Sequence, residues 1–137
     1  MLVLELMKTH VVTVSCDAPL GEAVDLMDLY QTVGLPVVSQ QGALCGFVTE
    51  SDIFRAITTS RTDAHPFPIL GTAADLKISD VMTPDVRFVT DTDDLLPAAL
   101  MLLESGFRTL PVVTKEGKVI GTLARVDLLQ AFFEGLL

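Results

Sequence analysis

Thr49 and Asp52 stand three positions apart in the run Gly46-Phe47-Val48-Thr49-Glu50-Ser51-Asp52, where an apolar stretch gives way to a segment of helical character. A carboxylate placed there can accept hydrogen bonds from two neighbouring sugar hydroxyls. A hydroxyl at a helix start joins free backbone N–H groups in facing an anion. The same spacing has a plainer use. Thr-x-x-Asp ahead of an apolar run is also a capping box, in which Thr49 caps the helix and Asp52 reaches back. Seventy-five residues on, Ala124 and Asp127 fill the same two places, so the carboxylate is repeated and the hydroxyl is not. Basic residues are unevenly shared: Arg108 stands just ahead of Leu110-Pro111, whereas Thr32-Val33-Gly34 ahead of Leu35-Pro36 offers no cation.

Other chemistries find little support. His10 and His65 are 55 positions apart, and neither lies beside a second ligand type at metal spacing. There is no Gly-x-Ser-x-Gly, P-loop or Gly-x-Gly-x-x-Gly. The chain therefore reads as a non-enzyme with no obligatory cofactor and no metal site. Cys16 and Cys45, 29 positions apart and outside any CxxC, read as reduced thiols that pack as small hydrophobes.

A length of 137 residues, half of them hydrophobic and a fifth charged, is enough for a buried core without staples. The net charge of −9 repels phosphate backbones and anionic membranes, which argues against a nucleic-acid or membrane-surface partner. It leaves room for a small anionic ligand held by local N–H groups and one or two cations. No apolar run approaches the ~18 residues of a membrane span. Glu5 interrupts the short apolar run at the start, and no basic leader precedes it, so the chain reads as soluble and cytoplasmic.

The elements that must position these residues come twice. Residues 6–57 laid over 81–132, without a gap, match at 13 of 52 positions, among them Leu35-Pro36-Val37-Val38 on Leu110-Pro111-Val112-Val113. Chance would give about four in a composition this rich in Leu and Val. Each copy opens with a short β-branched stretch, 11–14 or 86–90. Leu20, Ala23, Val24 and Met27, like Leu95, Ala98, Ala99 and Leu102, then recur at helical spacing. Asp93 and Asp94 fall at the start of the second of these helices. The Leu-Pro-Val-Val strand, with its Pro near the start, turns at Gly42 or Gly117 into a second strand, 43–48 or 118–123. A last helix follows over 50–59 or 125–134. The stretch 60–77, holding His65-Pro66-Phe67-Pro68, reads as an ordered crossover or linker.

This ordered series resembles the cystathionine beta-synthase (CBS) domain, and the two copies together resemble a CBS pair, or Bateman module. Copy two carries it as Val81-Met82-Thr83-Pro84, Val86, Val89, Leu95, Ala98, Leu110-Pro111-Val112-Val113, Gly117, Gly121 and Asp127. Copy one carries the same set behind a weaker opening, Leu6-Met7-Lys8-Thr9. The resemblance implies an α/β (α+β) fold of two tandem β-α-β-β-α repeats packed as one pseudo-twofold globule. Its divisions are repeat 1 over 1–60, a linker over 61–77 and repeat 2 over 78–137.

It implies a regulatory module that binds an adenosine-containing ligand in the cleft between repeats, of the AMP, ADP, ATP or S-adenosylmethionine class. Such a module modulates an effector protein and dimerises through its helices. The implied ligand-binding residues are Val33, Gly34, Phe47, Thr49, Ser51 and Asp52 in copy one, with Phe107, Arg108, Thr109 and Asp127 in copy two. Arg108 and Phe107 would face a ligand held by Asp52. With no cation at 32–34, a monophosphate or a neutral adenosine compound fits the first site better than a triphosphate. Phe47 and Phe107 either flank an adenine or belong to the core. The rival reading is a ligand-free dimerisation or interaction module. It rests on the apolar run 128–137, which forms a homodimer face, docks an effector or folds back on its own core.

Overall fold

The computed structural model describes residues 1–59 and 76–136; the His65-Pro66-Phe67-Pro68 stretch, most of the expected linker and Leu137 lie outside the described residues. Copy one builds β1 (Val14–Ser15), α1 (Leu20–Tyr30), β2 (Gly34–Val38), β3 (Leu44–Thr49) and α2 (Glu50–Thr59). Copy two builds α3 (Ile78–Val81), β4 (Val89–Thr90), α4 (Leu95–Ser105), β5 (Thr109–Val113), β6 (Val119–Ala124) and α5 (Arg125–Phe133). Where α3 opens copy two, a 3-10 turn at Val3–Glu5 opens copy one. The α/β class and the element order of the repeat are those expected.

Each copy forms a three-stranded sheet, β1-β2-β3 or β4-β5-β6, with a parallel first pair and an antiparallel hairpin. The register repeats too: Val14 faces Val37 as Val89 faces Val112. Both hairpins shift register at the last valine, where Val38 faces Leu44 and Val113 faces Val119. The first strands are shorter than the β-branched stretches suggest, and proline is the reason. Phe47, opposite Pro36, exchanges both backbone bonds with Thr83 on its other side. The Pro36–Phe47 pair is therefore not hydrogen-bonded across the hairpin, and Pro36 turns its missing N–H toward β1. Pro111, opposite Thr122, does the same to β4, because Thr122 spends its backbone groups on Lys8.

The two cores use the same positions. Val14, Leu20, Ala23, Met27, Leu35, Val37 and Val48 fill one; Val89, Leu95, Ala98, Leu102, Leu110, Val112 and Leu123 fill the other. One further position is exchanged. Ile78, from the opening of copy two, completes the core of copy one, and Val3, from the opening of copy one, completes that of copy two. The chain accordingly divides into two compact units, Val12–Val86, and Met1–Val11 with Arg87–Leu137.

Within each unit the borrowed opening pairs with the outer edge of the hairpin. Phe47 N–H donates to the Thr83 carbonyl at 2.9 Å and Thr83 N–H to the Phe47 carbonyl at 2.8 Å. Lys8 and Thr122 exchange the same bonds at 2.9 and 3.0 Å. A glycine makes the approach possible. A Cβ on Gly46 would lie 2.6 Å from the Thr83 carbonyl oxygen, and one on Gly121 2.6 Å from that of Lys8. Backbone cannot yield there as a flexible side chain would. Gly46→Ala and Gly121→Ala are each expected to destabilise by ~1–3 kcal/mol in denaturant titrations. Gly21→Ala, where an added Cβ meets nothing within 4 Å, should be neutral or stabilising by up to ~1 kcal/mol.

Candidate functional site

The repeated carboxylates lie where the hairpin enters the last helix. At the β3–α2 junction, Thr49 N–H donates to Asp52 Oδ2 at 2.9 Å and Asp52 N–H to Thr49 Oγ1 at 3.1 Å. The capping box is complete there. At the β6–α5 junction, Ala124 N–H donates to Asp127 Oδ2 at 3.2 Å, but no hydroxyl returns the bond. Asp127 is the one buried charged residue among those described, 4% exposed.

Capping uses only one carboxylate oxygen in each copy. Asp52 Oδ1 faces Arg55 Nη1 at 3.5 Å, and Asp127 Oδ1 faces Lys8 Nζ at 3.6 Å. These separations exceed the ~2.7–2.9 Å of a strong charge-assisted hydrogen bond. The cations are largely exposed and the carboxylates are not, the Asp52 side chain being 13% exposed and that of Asp127 5%. Each unit thus holds a carboxylate oxygen fixed by a helix start and only loosely paired, an acceptor that sugar hydroxyls could take. Capping by itself is common in this chain. Glu5, Asp80 and Asp93 accept in the same way from the N–H groups of Leu2, Lys77 and Thr90. Asp94 is the N-cap residue of α4, without a side-chain cap bond.

The remaining candidates separate by surroundings. Gly34 pairs with Thr49, and the buried Phe47 ring lies over it, so closely that a Cβ on Gly34 would be 2.6 Å from Phe47 Cε1. Phe47 is 7% exposed. The Val33 carbonyl accepts from Glu50 N–H, and both residues line an open cavity of about 440 Å3 between α1 and α2. Ser51 and Arg55 line a second cavity of about 540 Å3. In the other unit, Thr109 pairs with Ala124 and the exposed Arg108 accepts from Arg125 N–H through its carbonyl. Phe107 is half-buried, its N–H donating to Ser105 Oγ at 3.2 Å. The structure brings Thr49 to Asp52 and Phe47 to Gly34. Phe107, Arg108, Thr109 and Asp127 belong to the other unit.

Two neighbours of the carboxylates escaped the sequence. Arg55 had a signal, lying three residues along the helix from Asp52. Lys8 had none, being far from Asp127 in the chain. Cys16 and Cys45 are free and packed against one core. Burial, and next the neighbouring Cys16, push the Cys45 thiol up. On the outer helix faces, Phe54, Leu96, Leu103, Leu129 and Phe132 are exposed, and Phe133 is 82% exposed. Of the described residues in the apolar C-terminal run, Leu128 packs against one core and Ala131 is buried, whereas Leu129, Phe132, Phe133 and Leu136 are exposed. No helix among the described residues is long and apolar enough to cross a membrane. Among those residues no group of three or more His, Cys, Asp or Glu could hold a metal ion.

Comparison with known proteins bears on this geometry. The sequence pattern of the CBS domain matches residues 3–59 and 78–134. The chloroplastic CBS domain-containing protein CBSX2 of Arabidopsis thaliana is 31% identical over 139 residues, covering 89% of this chain. The chain spans 58% of that relative's length. The uncharacterized protein MJ1426 of Methanocaldococcus jannaschii is 29% identical over 153 residues, covering 96% of this chain and 90% of its own. The crystal structure of CBSX2 in complex with AMP superposes with a TM-score of 0.77 at 28% identity, over 97% of this chain and 96% of that one.

The Thr49 hydroxyl that caps one junction has no counterpart at Ala124, and stability should register it. Thr49→Ala is expected to cost ~1 kcal/mol in denaturant unfolding. Ala124→Thr should gain up to ~1 kcal/mol, by giving Asp127 N–H the acceptor that Asp52 N–H already has.

Proposed function

The chain belongs to the CBS domain family, and from that premise we propose that it is a non-catalytic regulatory module that binds an adenosine-containing ligand and passes its occupancy to a partner protein. The observation that carries this reading is the repeated carboxylate with one oxygen spent on a cap and the other left to an exposed cation. In both units the acceptor is held rigidly by a helix start, so a sugar diol would find it pre-positioned. The relative solved with AMP, alike over 96% of the chain in that crystal structure, supports an adenine nucleotide as the ligand class. Asp52 with Thr49, Gly34, Val33 and Ser51 forms the candidate set of one unit; Asp127 with Arg108, Thr109 and Phe107 forms that of the other. Phe47 supports the first by packing over Gly34.

Regulation follows from linkage. A ligand that favours one conformer shifts the population by no more than its differential affinity for the two. The exposed Phe54, Leu129, Phe132 and Phe133 support self-association into a homodimer, the helix faces being too apolar to be left in water.

Thermal unfolding of wild type, Asp52→Ala, Asp127→Ala and the double variant against adenosine, AMP, ADP, ATP and S-adenosylmethionine tests the ligand. A compound at a hundredfold its Kd adds ~2.7 kcal/mol to the native state, a rise of several degrees. The expected result is such a rise with an adenine nucleotide, reduced in each single variant and absent in the double. No rise with any compound would leave the carboxylates as helix caps and make the interaction module the better account.

A further inference from the structure

Arg55 and Lys8 reach the same atom of the repeated carboxylate from places that do not correspond. The position equivalent to Arg55 is Gln130, and that equivalent to Lys8 is Thr83. Arg55 comes from the helix that carries Asp52 and stands 3.5 Å from its Oδ1. Lys8 is delivered by strand pairing, its backbone fixed on Thr122 and its ammonium 3.6 Å from Asp127 Oδ1. Duplication of one ancestral repeat does not account for two unrelated residues converging on one oxygen. Both side chains are largely exposed, at 70% for Arg55 and 66% for Lys8, and neither is close enough for a strong hydrogen bond.

We propose that Arg55 and Lys8 are the residues that read the anionic group of the ligand, so that each carboxylate selects a nucleoside phosphate over the nucleoside. The inference rests on Asp52 and Asp127 being sugar-binding carboxylates. Hydroxyls that hydrogen-bond Oδ1 displace the cation loosely paired there. The displaced guanidinium or ammonium, on a flexible stem beside the sugar, then meets the phosphate the sugar carries. On a chain of net charge −9 a phosphate needs such a local cation. Beside Arg55, Ser51 and Phe54 help to line an open depression along α2.

Calorimetry with AMP and adenosine tests the assignment one site at a time. Lys8→Met is measured in Asp52→Ala protein, and Arg55→Met in Asp127→Ala protein. Each substitution is expected to weaken AMP by about fivefold or more, the scale of one exposed charge contact, and to leave adenosine within twofold. Lys8→Arg and Arg55→Lys should keep the preference for AMP. Melting curves establish that every variant is folded. If AMP and adenosine weaken equally, or neither changes, the role assigned to that cation is overturned while the carboxylate reading stands. Loss of AMP binding on Asp52→Ala alone would likewise end the role of Lys8 and leave Asp52 as the site. Wild type that binds no AMP would overturn the inference together with the reading beneath it.

Discussion

The pairing of each repeat's opening with the hairpin edge of the other repeat is the constraint on which the remaining architecture depends. Without Thr83, β3 would present unpaired backbone groups; without Lys8, β6 would do the same. An open strand edge is a template for association with another chain, and here it is covered from within. The same contact sends Ile78 and Val3 into cores that lack a residue of their own at that place. It also explains why Gly46 and Gly121 are glycines: the borrowed backbone lies where a side chain would be.

The site is an economical extension of helix capping. A carboxylate that reaches back to the N-cap N–H is held in a single orientation, and its second oxygen is held with it. Thr49 makes the first junction symmetric, with a bond each way. Ala124 leaves the second with one bond and a more deeply buried carboxylate, so its counter-charge has to be brought from elsewhere in the unit. Lys8 meets that need only because the covering strand fixes its backbone. Edge protection and electrostatics are thus served by one residue.

Much of this was legible in the chain. The offset of 75 fixed two copies of each element, helical spacing picked the inward faces of α1 and α4, and α2 occupies the expected residues 50–59. The shortness of β1 was not legible from β-branched residues alone. It depends on which neighbour Pro36 turns its missing donor toward, and that is settled only by Thr83 on the far side of Phe47. Periodicity says which face of a segment is buried, not whose sheet receives it, so the exchanged openings were invisible. Lys8 followed them out of sight. For Phe47 the sequence left two roles open; its packing over Gly34 is a pairwise fit of a large ring to an absent side chain, which no single position announces.

The exchanged openings bear on how such a chain can be inherited. A stretch of gene encoding one copy from its opening to its last helix encodes a hairpin without its cover and a cover without its hairpin. Recombination that moved one copy alone would export both defects at once. The smallest part that can be shuffled between proteins and arrive intact is the pair.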